Sequence, residues 1–284
     1  MLRTAAESGR SQEFMALLFA ASRFRPVFAA ESVSELVPEL LQLAEGPEQP
    51  VLVCLPSLLA ISGPHQYARI AAAFRGRRRV LAMPLPGFLE GESLPETAQA
   101  MLELGARAVL RATAGAPFVL LGHSTGGLLA QAVAGRLEEL GARPEGVVLV
   151  DTYAFADGGE AGADTGEAGG LDAAAAVLPA LTGAMLARDG GYVPMDDTRL
   201  TAMGGYLRLF AGWRPAAITA PTLLLKAAEA LTATGAGEVP AGAAGASWPL
   251  PHTAVDGPGD HFTVMEEHAT TTAELIDQWL RSVG

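Results

Sequence analysis

The sequence predicts an α/β fold with a mostly parallel central sheet and helices on both of its faces. Three observations carry that expectation. Short uncharged runs recur at residues 51–55, 80–83, 118–121 and 147–150. Each is apolar throughout rather than alternating, as a strand covered on both faces must be. Between them lie segments with helical spacing, at 65–74, 96–111 and 124–140. Each run also stops at a turn-forming or polar residue: Pro56, then Pro84, Pro86 and Gly87, then Gly122, then Asp151. Strands alternating with helices in this way build a layered parallel sheet with right-handed crossovers.

The flanking segments are read in order. Residues 11–21 predict a helix with Phe14, Leu17, Leu18 and Phe19 toward one side; that side either lies on the core or forms a subunit contact. Residues 32–44 have helical spacing interrupted by Pro38, and the end of that run could equally be an edge strand. After Asp151 the pattern breaks. Residues 156–170 are rich in Gly, Ala and acid and read as a loop. Two helical stretches follow, 171–187 and 197–210, with Asp196–Asp197 as the cap of the second. They sit between two sheet strands, where a lid is inserted in folds of this kind. The sheet resumes at 222–225, residues 227–247 are nearly featureless, and 252–255 is the last strand before a closing helix at 263–282. The 284 residues fit one domain, 1–284, with an N-terminal helical segment at 1–45 and a lid insertion at 152–212.

Composition excludes several function classes. Nineteen Lys and Arg stand against 31 Asp and Glu, a net charge of −12, so bulk charge opposes nucleic-acid binding. Cys54 is the only cysteine, which rules out an intrachain disulfide and a Cys-based zinc site. No G-x-G-x-x-G follows a strand, Lys226 is the sole lysine and forms no P-loop, and H-E-x-x-H is missing. No bound cofactor or metal is expected. The uncharged stretch 112–135 is broken by glycines and by His123, Ser124 and Thr125, so no membrane span is expected. Residues 1–30 lack a secretory pattern, and the expected compartment is the cytoplasm.

The sharpest chemical signal is Gly122-His123-Ser124-Thr125-Gly126. It is a G-x-S-x-G pentapeptide after an apolar run and before a helical run, the context a nucleophile elbow requires. Ser124 is the expected nucleophile, and a serine hydroxyl needs a base. Of five histidines, His65 starts a helix, His123 adjoins the nucleophile and points away from it, His252 lies in a strand, and His268 lies one turn into the closing helix. His261 occupies the loop between the last strand and the last helix, which brings it over the carboxyl edge of the sheet as general base. Asp151 ends its strand abruptly and is the expected orienter of the imidazole. Glu229 and Glu238 lie in a stretch poor in acids, and Asp260 cannot turn back onto its neighbour's ring. The order Ser…Asp…His suits an α/β-hydrolase fold. For the oxyanion hole, Thr125 N–H is one donor and Leu58 N–H the other, with Leu59 its rival.

These motifs resemble the terminal thioesterase domains of modular type I polyketide synthases, including those of the erythromycin and pikromycin synthases. The resemblance rests on Ala60-Ile-Ser-Gly-Pro-His65, Pro84-Leu-Pro-Gly87 with Glu90-Gly-Glu92, the elbow, Val150-Asp-Thr-Tyr153, Asp196-Asp-Thr-Arg-Leu200 with Gly205-Tyr206, and Gly259-Asp-His-Phe-Thr263 running into Glu266-Glu267-His268. It covers about residues 14–282. It implies that Ser124 is acylated by a polyketide carried on the phosphopantetheine arm of an upstream acyl carrier protein. Water then gives an acid, or a chain hydroxyl gives a macrolactone, with a slight lean to the acid. It implies a channel beside the lid, with Leu59, Tyr153 and Tyr206 near it, a homodimer formed through the N-terminal helices, and a chain that is one domain of a much larger synthase. Thr125 stands where such relatives often have alanine or glycine, and Leu58 where they often have threonine. The alternatives are a type II editing thioesterase or a free carboxylesterase, and, from another class, a non-catalytic binding module on the same fold.

Overall fold

The computed structural model describes residues 1–153, 178–191, 193–229 and 246–283. The expected loop at 156–170, the first part of the expected helix at 171–187 and most of 227–247 lie outside the described residues. The elements run α1 Leu2–Glu7, α2 Ser11–Ser22, β1 Val27–Phe28, α3 Val33–Leu36, β2 Leu41–Ala44, β3 Glu48–Leu55, α4 Ala68–Phe74, β4 Arg78–Ala82 and β5 Leu94–Pro95. They continue α5 Ala98–Thr113, β6 Phe118–His123, α6 Thr125–Glu139, β7 Gly146–Val150, α7 Leu178–Arg188, α8 Asp197–Phe210, β8 Thr222–Ala227, β9 Thr253–Gly257 and α9 Ala269–Val283.

Among the described residues, seven strands form the main sheet in the order β2-β4-β3-β6-β7-β8-β9. Only β2 is antiparallel to its neighbour, so the run around Pro38 resolves into a short helix and then an edge strand. Alternate residues of the inner strands β3, β4, β6, β7 and β8 feed two cores. Val53, Leu120 and Leu149 face α5 and α6. Leu52, Cys54, Leu121 and Val148 face α4 and α9, where Ile276 and Trp279 meet them. Fully covered strands need no polar face, which is why their sequences are unbroken apolar runs. Cys54 is one of these core residues, and burial pushes its thiol pKa well up.

A third apolar cluster joins the N-terminus to the lid. Phe14, Met15 and Leu18 of α2 pack with Leu59, Met185, Leu200 and Met203. Phe14 and Leu18 are therefore covered within the chain, whereas Leu17 is 48% and Phe24 91% exposed.

One element is added and two local expectations are corrected. A two-stranded parallel ribbon, β1 with β5, was not anticipated, since two residues carry no periodicity. The helix expected from residue 65 opens with a 3-10 turn at Pro64–Tyr67, as the proline favours. The closing helix begins only at Ala269. Asp260 accepts the N–H groups of Phe262 and Thr263 at 2.9 and 2.8 Å, and this Asx turn holds the preceding segment in consecutive turns. His268 accordingly precedes the helix rather than lying inside it.

Candidate active site

β6 delivers Ser124 at the carboxyl edge of the sheet. Its backbone sits at φ 57°, ψ −131°, a strained conformation for a residue with a side chain. The elbow is possible because its flanks carry none. A Cβ on Gly122 would lie 2.1 Å from Gly126 O, and one on Gly126 would lie 2.4 Å from Leu55 O. Thr152 Oγ1 donates to Ser124 O at 3.1 Å, and Ser124 N–H donates to Val150 O at 2.9 Å, so the next strand's exit braces the corner.

Asp151 follows β7 directly and also has positive φ, 42°. Its N–H donates to Leu225 O at 2.7 Å, which aims its carboxylate along the sheet edge. His261 arrives on the loop after β9. Its Nδ1 lies 2.6 Å from Asp151 Oδ2 and its Nε2 lies 3.0 Å from Ser124 Oγ. The three residues singled out from the sequence thus meet in one hydrogen-bonded chain, each less than a tenth exposed. Such a chain can take a proton from the hydroxyl and hold the resulting imidazolium beside a carboxylate.

Comparison with known proteins places the chain in a family. The family model described as a thioesterase domain matches residues 50–280. The chain belongs to the thioesterase-domain family. It is 47% identical, over 97% of its length, to the polyketide synthase GfsE of Streptomyces halstedii, and 41% identical, over 98%, to the erythronolide synthase EryA3 of Saccharopolyspora erythraea. It spans only 7% and 8% of those relatives' own lengths. Among solved structures, the NocB thioesterase domain in covalent complex with a fluorophosphonate nocardicin G analogue superposes with a TM-score of 0.56 at 20% identity, covering 82% of this chain and 95% of that one. The Vlm2 thioesterase domain bound with a dodecadepsipeptide gives 0.56 at 18% identity, covering 85% and 97%. At that identity the likeness speaks for the α/β-hydrolase fold alone.

Within this thioesterase domain, Asp151 is fully engaged. Burial alone would raise its pKa, but the hydrogen bond and charge of His261, with Ala227 N–H at 3.0 Å on Oδ1, hold it below the ordinary carboxylate value. Tyr153 O–H donates to Asp151 Oδ2 at 3.0 Å. Burial and that carboxylate push the phenol pKa well up. Tyr153 therefore supports the acid directly as well as standing beside the site.

Other placements differ from expectation. Tyr206 was expected near the channel, yet it is 0% exposed and its O–H donates to Pro86 O at 3.0 Å. It is a core residue of α8, because its hydroxyl finds an acceptor deep under the lid. Leu59 borders a cavity of about 310 Å³ shared with His65, His123, Val193 and Phe262. Leu58 N–H donates to Thr125 Oγ1 at 2.9 Å, and Leu59 N–H to Ser57 Oγ at 3.4 Å. The expected second backbone donor is thus engaged by a side chain in this state. No group of three or more metal-ligating side chains occurs among the described residues, and no described helix is long and apolar enough to cross a membrane.

The sequence reading missed His123. Its ring lies 4.7 Å from that of His261 and its Nε2 is 2.6 Å from His261 O. Burial first, then the neighbouring imidazole, lowers its pKa from 6.5 to about 3, so the neutral ring donates to that carbonyl and holds the loop. A histidine whose pKa is depressed on folding supplies stability that is whole above the unfolded value and is lost as pH falls toward the folded one. Wild-type stability should therefore fall by ~1.4 kcal/mol per pH unit through that window from this group. In urea titrations the gap between wild type and H123N should shrink from pH 7 to pH 4. Parallel pH curves would remove His123 from this role.

Proposed function

We propose that this domain releases a polyketide chain from an acyl carrier protein through an acyl-enzyme on Ser124. The observation that carries the reading is the Ser124–His261–Asp151 chain, in a domain so similar over nearly its whole length to parts of two polyketide synthases.

Ser124 Oγ attacks the thioester carbonyl while its proton passes to His261 Nε2, and Asp151 stabilises the imidazolium. The carbon–sulfur bond breaks, and His261 protonates the departing sulfur to give the carrier's thiol. In the second half, water or a hydroxyl of the chain gives its proton to His261 and attacks the serine ester. Ser124 recovers its proton, and an acid or a lactone leaves. Thr125 opens α6, so its N–H has no intrahelical acceptor and suits the developing oxyanion. The domain needs no cofactor of its own in this chemistry. Its partners are the carrier protein's phosphopantetheine arm and a second copy meeting through the N-terminal helices. Exposed Leu17 and Phe24 favour that contact, while Phe14 and Leu18 act within the chain. The mostly apolar surroundings of Leu59 suit a reduced acyl chain, and the slight preference remains for hydrolysis. A type II editing enzyme or a carboxylesterase would use the same triad on short acyl groups or oxygen esters.

Mass spectrometry tests the reading. Incubation with long-chain acyl thioesters is expected to leave the acyl group on Ser124 and to yield free acid, with both signals missing in S124A. Faster turnover of acetyl thioesters or simple oxygen esters than of long acyl thioesters would favour the editing or esterase reading instead.

A further inference from the structure

We infer that the side-chain hydroxyl of Thr125, and not only its backbone N–H, donates a hydrogen bond to the oxyanion. This inference rests on the proposed function. The position after the nucleophile is normally considered for its N–H alone, but here its side chain joins a small hydroxyl network. Thr125 Oγ1 accepts Leu58 N–H at 2.9 Å and lies 3.0 Å from Ser57 Oγ. Ser57 Oγ in turn accepts Leu59 N–H at 3.4 Å, and Ser57 N–H is held by Gln66 Oε1 at 3.1 Å.

Counting protons decides the direction of this network. A hydroxyl has one proton and two lone pairs. When Ser57 O–H donates to Thr125 Oγ1, both threonine lone pairs are filled, the second by Leu58 N–H. The threonine proton is then left for a third partner. The opposite arrangement would leave the serine proton without an acceptor among the described residues, in a side chain only 1% exposed, which costs free energy. Thr125 is half-buried and adjoins Ser124, so its proton can stay solvated until an oxyanion forms there. The Leu58 N–H, expected to face the oxyanion itself, instead polarises the hydroxyl that does. Leu58 thus acts through Thr125 as a positioning residue, and Ser57 does the same.

The test compares T125V, T125S, T125A and S57A on an acyl N-acetylcysteamine thioester and on an activated oxygen ester, reading kcat, KM and melting temperature. T125V keeps shape and backbone N–H but loses the hydroxyl. It should lower kcat by about 10²-fold, with KM nearly unchanged, on both substrates. T125S should recover most of that loss, and S57A, which removes the backing donor together with the long 3.4 Å contact to Leu59 N–H, should lower kcat by a smaller factor. Undiminished kcat in T125V or S57A, a loss in T125S as large as in T125V, or T125A as fast as wild type would each overturn the inference. In the last case the hydroxyl merely plugs a site that Leu58 N–H serves. If T125V melts below the assay temperature, S57A alone decides. Failure of the proposed function reads out separately, as wild-type inactivity on the thioester while the ratio of T125V to T125S on the ester still reports the hydroxyl.

Discussion

Replacing His261 by alanine is expected to lower kcat by about 10⁶-fold, and S124A should do the same. The double variant should be no worse than either single one. Hydroxyl and imidazole act as one unit across the 3.0 Å contact: without the base the hydroxyl stays protonated, and without the hydroxyl the base has nothing to activate. D151N should lose about 10⁴-fold. Its effect has a second physical source in this protein. Three donors converge on that carboxylate, from His261, Tyr153 and Ala227. An amide NH₂ at the Oδ2 place would oppose His261 and Tyr153, and at the Oδ1 place it would oppose Ala227 N–H, so either rotamer breaks part of the set that fixes the ring's tautomer and orientation. Initial rates on one acyl thioester, with fluorophosphonate labelling as an independent readout, measure all four variants. Multiplicative losses in the double variant, or H261A within tenfold of wild type, would mean that the imidazole does not serve Ser124.

The convergence of Ser124, Asp151 and His261 was legible in the sequence because each signal is local. A pentapeptide marks the elbow, an acid ends an apolar strand, and a histidine sits in the loop after the last strand. The sheet was legible for a similar reason, since covering both faces forces whole runs to be apolar. Contacts between distant segments were not. The Thr125–Leu58 bond depends on how a loop after β3 folds back over α6, which no periodicity encodes. His123 bears on His261 through a backbone carbonyl, and any residue type supplies such an acceptor. That Tyr206 turns inward onto Pro86 O was not legible, because likeness to a family motif locates a residue in the chain without saying which way its ring turns. His268 was misplaced because an Asx turn at Asp260 overrides helical spacing beyond it.

Arg199 is expected to be the most costly single side chain to remove outside the triad. It lies on α8, is 7% exposed, and feels the charge of nearby Asp196. Its guanidinium donates to three backbone carbonyls: Ala60 O at 2.6 Å, Phe88 O at 3.4 Å and Ser62 O. It also lies 5.2 Å from the centroid of the Phe88 ring. Two of those carbonyls belong to the loop that carries Ser57, Leu58 and Leu59, so one lid helix is fastened to the segment behind the oxyanion site. R199A would leave three buried acceptors unmatched at about 1–3 kcal/mol each. A net loss of ~4 kcal/mol would lower the melting temperature by roughly 8–16 °C in a chain of this size. R199K can satisfy one acceptor with its compact ammonium but cannot span the fork, so it should fall between wild type and alanine. Turnover should fall with stability, and the fall should persist at temperatures where R199A is still folded, because the loop that backs Thr125 would be free to shift. A melting temperature for R199A within about 2 °C of wild type would show that water replaces the guanidinium without cost. Unchanged kcat in folded R199A would show that the oxyanion loop keeps its place without the lid, and that the two are neighbours rather than one mechanical unit.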